Sequence, residues 1–386
     1  MKKKIDLNTV INEVKLQEYL SGLGIEEAHS TLLSGLLKEL ESKAKEQAKI
    51  KKNKNRIKAN DDAKTHLSVE SVLSKEEISA LPSWVRKEIK DSVIIGNSGD
   101  VIQVPDGRKY HRKNKLNDLP GGQWTFFLNS VINTRFPTSG AEAYAHDLRK
   151  IHPSPKPPQL MRDIIEFFTK EDEIVLDYFM GVGGTLIGAS LCGRKAIGID
   201  LNQKYLDVYK LANKALGLKE QITLLGDSIK LLGEGKEIQS LLNNKKASLI
   251  LIDPPYGDML AREKTGEAIK KNQDTAPTPF TELSTDLGNM DIEEFFPIFK
   301  ESIEKSMEFL KPRGHIVVFM KDLQPSKTSP NLLHSRVIED LARIEGLNYL
   351  GMKIWADQGV NLYPYGYPFA FVANQIHQYI MIFRMN

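Results

Sequence analysis

The sequence predicts an α/β protein: a doubly wound, mostly parallel sheet with one antiparallel hairpin, preceded by a helical N-terminal extension. Three observations predict it. From about residue 120, apolar runs of strand length alternate with helical patterns. Several runs are apolar at nearly every position, as strands covered on both faces must be. Two late runs, "LGMKIW" and "QYIMIF", follow each other without a helix between them.

Taken in order, residues 1–60 read as a basic helical extension. Leu32, Leu33, Leu36, Leu37 and Leu40 recur at helical spacing and give one apolar stripe, suited to self-association or a partner helix. The lysine-rich run "KAKEQAKIKKNKNRIKAN" follows, read either as a phosphate-backbone contact or as a solvated linker. Residues 61–119 read as an irregular basic region, suited either to nucleic acid or to an ordinary surface hairpin. In it Arg108, Lys109, Arg112 and Lys113 surround a Pro-Asp-Gly turn, with Tyr110 and His111 between them. The catalytic domain spans 120–386. It opens on a helical face of Trp124, Phe127, Leu128, Val131 and Ile132. A helix follows "KPPQ", with Leu160, Met161, Ile164, Ile165 and Phe168 inward. Then come strand "EIVLDYF", a helix starting near Gly184, strand "KAIGID", helix 203–216, and strands "ITLLGD" and "SLILID". Helix 292–310, strand "HIVVFM" and helix 331–345 lead to the final hairpin. Residues 257–290 are long, polar and without periodicity, and are expected to form a mobile loop.

Composition excludes several classes. The 386 residues are 41% hydrophobic, ample for a large core, and the net charge of +3 is too small to argue for nucleic acid globally. The single cysteine, Cys192, excludes a disulfide framework and a cysteine-based zinc site. The residues suggest no metal. No apolar run approaches the roughly 20 residues of a membrane helix. The basic start "MKKKIDLNTV" lacks the apolar stretch of a secretory signal, so a cytoplasmic protein is expected.

The chemistry gathers at strand ends, where open α/β sheets bind ligands. "VLDYFMGVGGT" delivers Asp177 and Phe179 to a turn in which Gly181, Gly183 and Gly184 let a ligand approach the backbone, and Thr185 opens the next helix. Asp200 ends the second strand, about 20 residues after the glycines, placed to accept from ribose hydroxyls. Asp227 ends the third. Three acids in a row suit an adenosine ligand carrying positive charge, as S-adenosylmethionine does, better than a pyrophosphate. Each acid taken singly is also an ordinary cap or turn residue.

The fourth strand ends in Asp253, Pro254, Pro255 and Tyr256. Proline cannot continue a central strand, so the chain leaves the sheet there. The Asp253 carboxylate and a proline carbonyl offer two fixed acceptors. Gripping both N–H bonds of a nucleobase amine would pyramidalise it and free its lone pair for in-line attack, an effect of orientation and preorganisation. Tyr256 is placed to stack on the base, which must first leave a duplex.

The order "HPSPKPP", "DYFMGVGG", "GID", "LLGD", "DPPY" resembles the amino-methyltransferases that modify exocyclic base amines in DNA. The likeness covers roughly residues 120–386. It implies a Rossmann-like methyltransferase sheet and S-adenosylmethionine as methyl donor. By resemblance, Asp253, Pro254, Pro255 and Tyr256 hold the target base. Phe179, Gly181 and Gly183 bind the donor, Asp200 its ribose and Asp227 its adenine. His152, Pro153, Lys156 and Pro157 hold its methionine end, with Lys156 meeting the carboxylate. One position departs: Tyr178 stands where the family usually has proline, and either crowds the donor pocket or turns away from it.

The expected function is site-specific methylation of duplex DNA, most often at adenine N6, by base flipping and direct transfer. Two alternatives stand beside it: an RNA base amino-methyltransferase acting on adenine N6 or guanine N2, and an inactive partner subunit that binds donor and DNA. Donor motifs precede the catalytic motif without a large insert, so target recognition is expected in residues 1–120 and the 257–290 loop. One of Tyr363, Tyr365 and Tyr367 is a candidate wall of the base pocket.

Overall fold

A computed structural model describes residues 67–96, 98–257, 279–325 and 329–386. The N-terminal leucine stripe and lysine run, and residues 258–278 of the long polar stretch, lie outside the described residues.

Residues 67–111 depart from the irregular region expected of them. They form an antiparallel four-stranded sheet in sequence order: β1 (Leu67–Ser68), β2 (Val93–Ile95), β3 (Val101–Gln103) and β4 (Lys109–His111). Strands of two or three residues are too short to leave an alternating pattern in a sequence. The sheet has its own core of Val69, Val85, Ile94, Ile102, Val104 and Tyr110. The Trp84 indole N–H donates to the Asp118 carbonyl at 2.7 Å, and the Asn117 amide donates to the Phe167 carbonyl at 2.7 Å. These bonds tie the segment to the main body.

The main sheet has eight strands: β5 (Val131–Thr134), β6 (Ile174–Asp177), β7 (Lys195–Asp200), β8 (Ile222–Leu225), β9 (Ala247–Ile252), β10 (Leu310–Met320), β11 (Leu347–Asp357) and β12 (His377–Met385). Their spatial order is β5-β11-β12-β10-β9-β6-β7-β8. Only β12 runs against its neighbours β10 and β11; every other pairing is parallel. The doubly wound sheet with its hairpin is therefore as expected. The hairpin is not an edge, because β5 adds beyond β11. Val131 and Ile132 belong to that strand and not to a helical face. The helix before it ends at Phe127, and Lys353 Nζ donates to the carbonyls of Phe127 and Asn129, which holds the turn.

The pleat sorts the core onto two faces. Leu249, Leu251, Val317 and Phe319 pack with helices Pro158–Phe168 and Gly184–Leu191 on one side. Ile250, Ile252, Ile316 and Val318 pack on the other with helix Ile292–Ser306, through Phe295, Phe299 and Ile303. All six residues of β9 are buried, which is why that run reads as continuously apolar. Tyr178 joins the second face. It is fully buried, its hydroxyl lies 3.4 Å from Ser302 Oγ, and its carbonyl accepts from the Ser228 hydroxyl. Its ring thus anchors the floor beneath the glycine turn.

From β6 the chain moves outward through β7 and β8; β9 then returns to the opposite side of β6. This reversal is a topological switch point, and it opens a crevice at the carboxyl ends of β6 and β9.

Candidate active site

A cavity of about 440 Å³ fills that crevice. Phe179, Gly181, Asp200, Asp227, Asp253, Pro254, Pro255, Tyr256 and His152 all line it. Four separate strand ends and the segment before helix Pro158–Phe168 therefore converge on one space.

The glycine turn is built for close approach. Gly183 has φ +76° and caps helix Gly184–Leu191; a Cβ there would lie 2.2 Å from the Tyr209 ring. A Cβ on Gly181 would lie 3.1 Å from His152 Nε2. Larger residues would push the turn off its neighbours. The Gly181 N–H donates to Asp200 Oδ2 at 2.8 Å, and the Asn202 N–H to Oδ1 at 2.8 Å. Burial nevertheless pushes the Asp200 carboxyl up to about 6, those two bonds opposing. Asp177 is deeper, 3% exposed, and burial pushes it up to about 7 against a 3.1 Å bond from the Phe179 N–H. Thr185, also buried, lines a small side cavity with Asp177 and Lys156. Asp227 caps its helix through Oδ1, accepting from the N–H groups of Ile229 and Lys230 at 2.9 and 3.3 Å.

His152 accepts from the Ser154 N–H at Nδ1, and burial pushes it down to about 4, so it is neutral near pH 7. Its ring stacks on Phe280 at 5.0 Å between centroids. Pro157 caps helix Pro158–Phe168 and does not line the main cavity.

Asp253 is held on both sides. Lys156 Nζ donates to Oδ2, and the Tyr256 hydroxyl donates to Oδ1 at 2.7 Å. The Lys156 and Asp253 side chains are 6% and 17% exposed, so this is a largely buried ion pair. A lysine expected to face a donor carboxylate therefore stands on Asp253. Tyr256 is only 7% exposed, its ring packed against the core; burial, then the Asp253 charge, drive its hydroxyl well above the ordinary range and keep it a donor.

Sequence reasoning missed several residues. Phe280, Thr281 and Asp286 reach the cavity from the far end of the polar stretch. The Asn202 amide donates to the Phe280 carbonyl at 2.8 Å, and Asp286 accepts from the Thr281 hydroxyl and the Gly288 N–H. A lone aromatic closing a polar run was the only signal. Lys321 also lines the cavity, its ammonium held down by burial and by Lys156. Lys109 lies on β4, Arg108 just before it and Arg112 and Lys113 just after it, and none touches the cavity. Among Tyr363, Tyr365 and Tyr367, none lines it either.

A family model described as DNA methylase matches residues 32–212, a span that holds the glycine turn and Asp200 and stops before Asp253. This match and the type II methyltransferase relatives support an S-adenosylmethionine-dependent amino-methyltransferase. A tRNA (guanine(10)-N2)-dimethyltransferase of Methanocaldococcus jannaschii is 35% identical over 40% of this chain and 42% of its own. The type II methyltransferase M2.DpnII of Streptococcus pneumoniae is 45% identical over 17% of this chain and 23% of its own. The chain thus spans less than half the length of either relative. The solved TrmN of Thermus thermophilus superposes with a TM-score of 0.39 at 15% identity, over 64% of this chain and 53% of that one.

The residues present fit the family's methyl donor. The cavity has the volume of an ordinary cofactor site. Its walls carry Asp200, Asp227 and Asp286, which suit a cationic ligand, and Phe179, Leu201 and Ile229, which suit a purine ring. A side chain at Gly181 would crowd His152, so the glycine keeps this wall of the cavity clear. No cluster of metal-ligating side chains occurs among the described residues, and no described helix is long and apolar enough to cross a membrane.

Proposed function

We propose that the chain methylates an exocyclic amine of a nucleic-acid base, with adenine N6 of duplex DNA as the leading substrate. The observation that carries this reading is Asp253: a carboxylate fixed by Lys156 and Tyr256, in the same cavity as the glycine turn. When bound, S-adenosylmethionine supplies an electrophilic methyl group. Phe179, Gly181, Asp200 and Asp227 would hold its adenosine, and His152 its other end.

The chain's own residues prepare the amine. A carboxylate has about four lone-pair sites, so Asp253 can accept a base N–H while keeping Lys156 and Tyr256. The prolines free the carbonyl beside it from the β ladder, giving the second acceptor. With both N–H bonds held, the amine lone pair is steered away from the ring. Lys156 compensates the Asp253 charge in a largely buried pair, and the Tyr256 hydroxyl holds the carboxylate in place. Both roles are positioning roles, set before substrate arrives.

A second reading is favoured by the tRNA (guanine(10)-N2)-dimethyltransferase matched over 158 residues: transfer to guanine N2 of an RNA. One experiment separates them. The chain is incubated with isotope-labelled donor and either duplex DNA or tRNA, and the nucleosides are then resolved. Labelled N6-methyladenine from DNA is expected. Label confined to N2-methylguanine in RNA replaces it with the second reading. Donor binding with no label in either polymer overturns both and points to a partner subunit.

A further inference from the structure

A second cavity of about 330 Å³ opens beside the first and shares Pro153, Ser154 and Gln378 with it. It lies over β11 and β12, on the far side of Asp253 from the acids of β6, β7 and β8. Its charges are unusual. Arg149 lines it and is 1% exposed; its guanidinium donates to the carbonyls of Val182, at 3.3 Å, and Lys156, and to no carboxylate among the described residues. Burial pushes it down to about 10, the mark of a cation without a counter-ion. Arg135 stands exposed at the mouth, also without an ion pair among the described residues. The Trp355 indole is 3% exposed, and its N–H, which can only donate, has no partner. A buried donor left unsatisfied costs roughly 1–3 kcal/mol. The Asp357 carboxylate is the lining acid, and it already accepts from the Gly359 N–H at 2.8 Å.

We propose that this cavity is a subsite for a phosphodiester group of the nucleic-acid strand, next to the nucleotide whose base enters the main cavity. The inference rests on the function proposed above. An oxyanion would satisfy the indole N–H and face two guanidinium groups, in a cavity that shares Pro153, Ser154 and Gln378 with the one holding Asp253. The free Oε1 of Gln378, at the wall between the cavities, is an acceptor suited to a base or sugar hydroxyl and not to the phosphate itself.

The test needs no turnover. The chain has three tryptophans, so nitrogen-15 labelling of the indoles yields three signals. Trp355→Phe assigns the relevant one, and Arg135→Ala removes the exposed guanidinium at the mouth. Inorganic phosphate and a dinucleoside monophosphate are titrated separately at constant ionic strength. The expected result is a shift confined to the Trp355 indole, reached at lower concentration with the diester, and weakened about tenfold by Arg135→Ala, as loss of one charge-assisted contact predicts. A shift by phosphate alone, reproduced by chloride or unchanged by Arg135→Ala, marks an adventitious ion only and overturns the subsite. No shift with either probe does the same. Failure of the function reading looks different: no methyl transfer by wild type, whatever the indole does.

Discussion

In the small sheet, Arg108 reaches Asp106 at 2.7 Å, Lys113 reaches Asp100 at 2.8 Å, and Arg112 lies 3.5 Å from Glu77 and 3.6 Å from Asp100. At the rim of the main sheet, Lys156 is committed to Asp253, while Arg149 and Arg135 face no carboxylate at ion-pair distance among the described residues. Both regions are basic in sequence. The first pairs Arg108, Arg112 and Lys113 with acids of its own segment. The second commits one cation to Asp253 and leaves Arg149 and Arg135 without a carboxylate, as the proposed phosphodiester subsite requires. A basic run in a sequence therefore says little until its local acids are counted, and the cations that matter here are dispersed along the chain.

The strongest way to break this contrast is Lys156→Met. Removing one member of a buried ion pair leaves the other uncompensated and costs about 3–5 kcal/mol. Urea unfolding should show that loss together with loss of transfer; unchanged stability would mean the pair is not buried in solution. Asp177→Asn comes next. The folded carboxyl sits at about 7, against about 3.9 unfolded, so the folded state binds the extra proton between those values. Stability should rise as pH falls from 8 to 5, by on the order of 1.4 kcal/mol for each unit of separation. The asparagine variant should lose that slope and gain stability at pH 8; matching slopes would refute the buried, raised acid. The contrast itself is sharpened by salt. Arg135→Ala should lower the salt dependence of nucleic-acid binding by about 0.9, one phosphate contact. The smallest effect belongs to Arg112→Ala with Lys113→Ala, whose pairs are partly exposed: no change in that slope and at most about 1 kcal/mol in stability per pair. If instead this pair carries the slope, the assignment of the two regions is reversed.

Much of the main sheet was legible because its strands are buried on both faces, so "LILI" and "IVVFM" are unbroken apolar runs. The small sheet was not, because three-residue strands carry no period. β5 was misread for a related reason: Val131 and Ile132 continue a helical spacing set by Trp124 and Phe127, and only pairing with β11 makes them a strand. At the site, the strand-end acids and glycines stood out, since turns and acids follow apolar runs visibly. Their partners did not. Lys156 and Asp253 are 97 residues apart, and nothing local links them. Tyr178 was ambiguous for the same reason, as its partner Ser302 lies on a helix 124 residues later. With its ring fully buried, Tyr178→Pro would leave a cavity costing about 3–5 kcal/mol. Any test of donor affinity at that position is better made with Tyr178→Phe.

The account turns on the Asp253 carboxylate as acceptor for the base amine. Single-turnover methyl transfer by Asp253→Asn, with donor affinity measured calorimetrically on the same preparation, tests it most directly. The predicted result is a fall in transfer of about 10²–10³-fold with donor affinity nearly unchanged. Transfer within a few-fold of wild type, or a fall explained by lost donor binding, would contradict it.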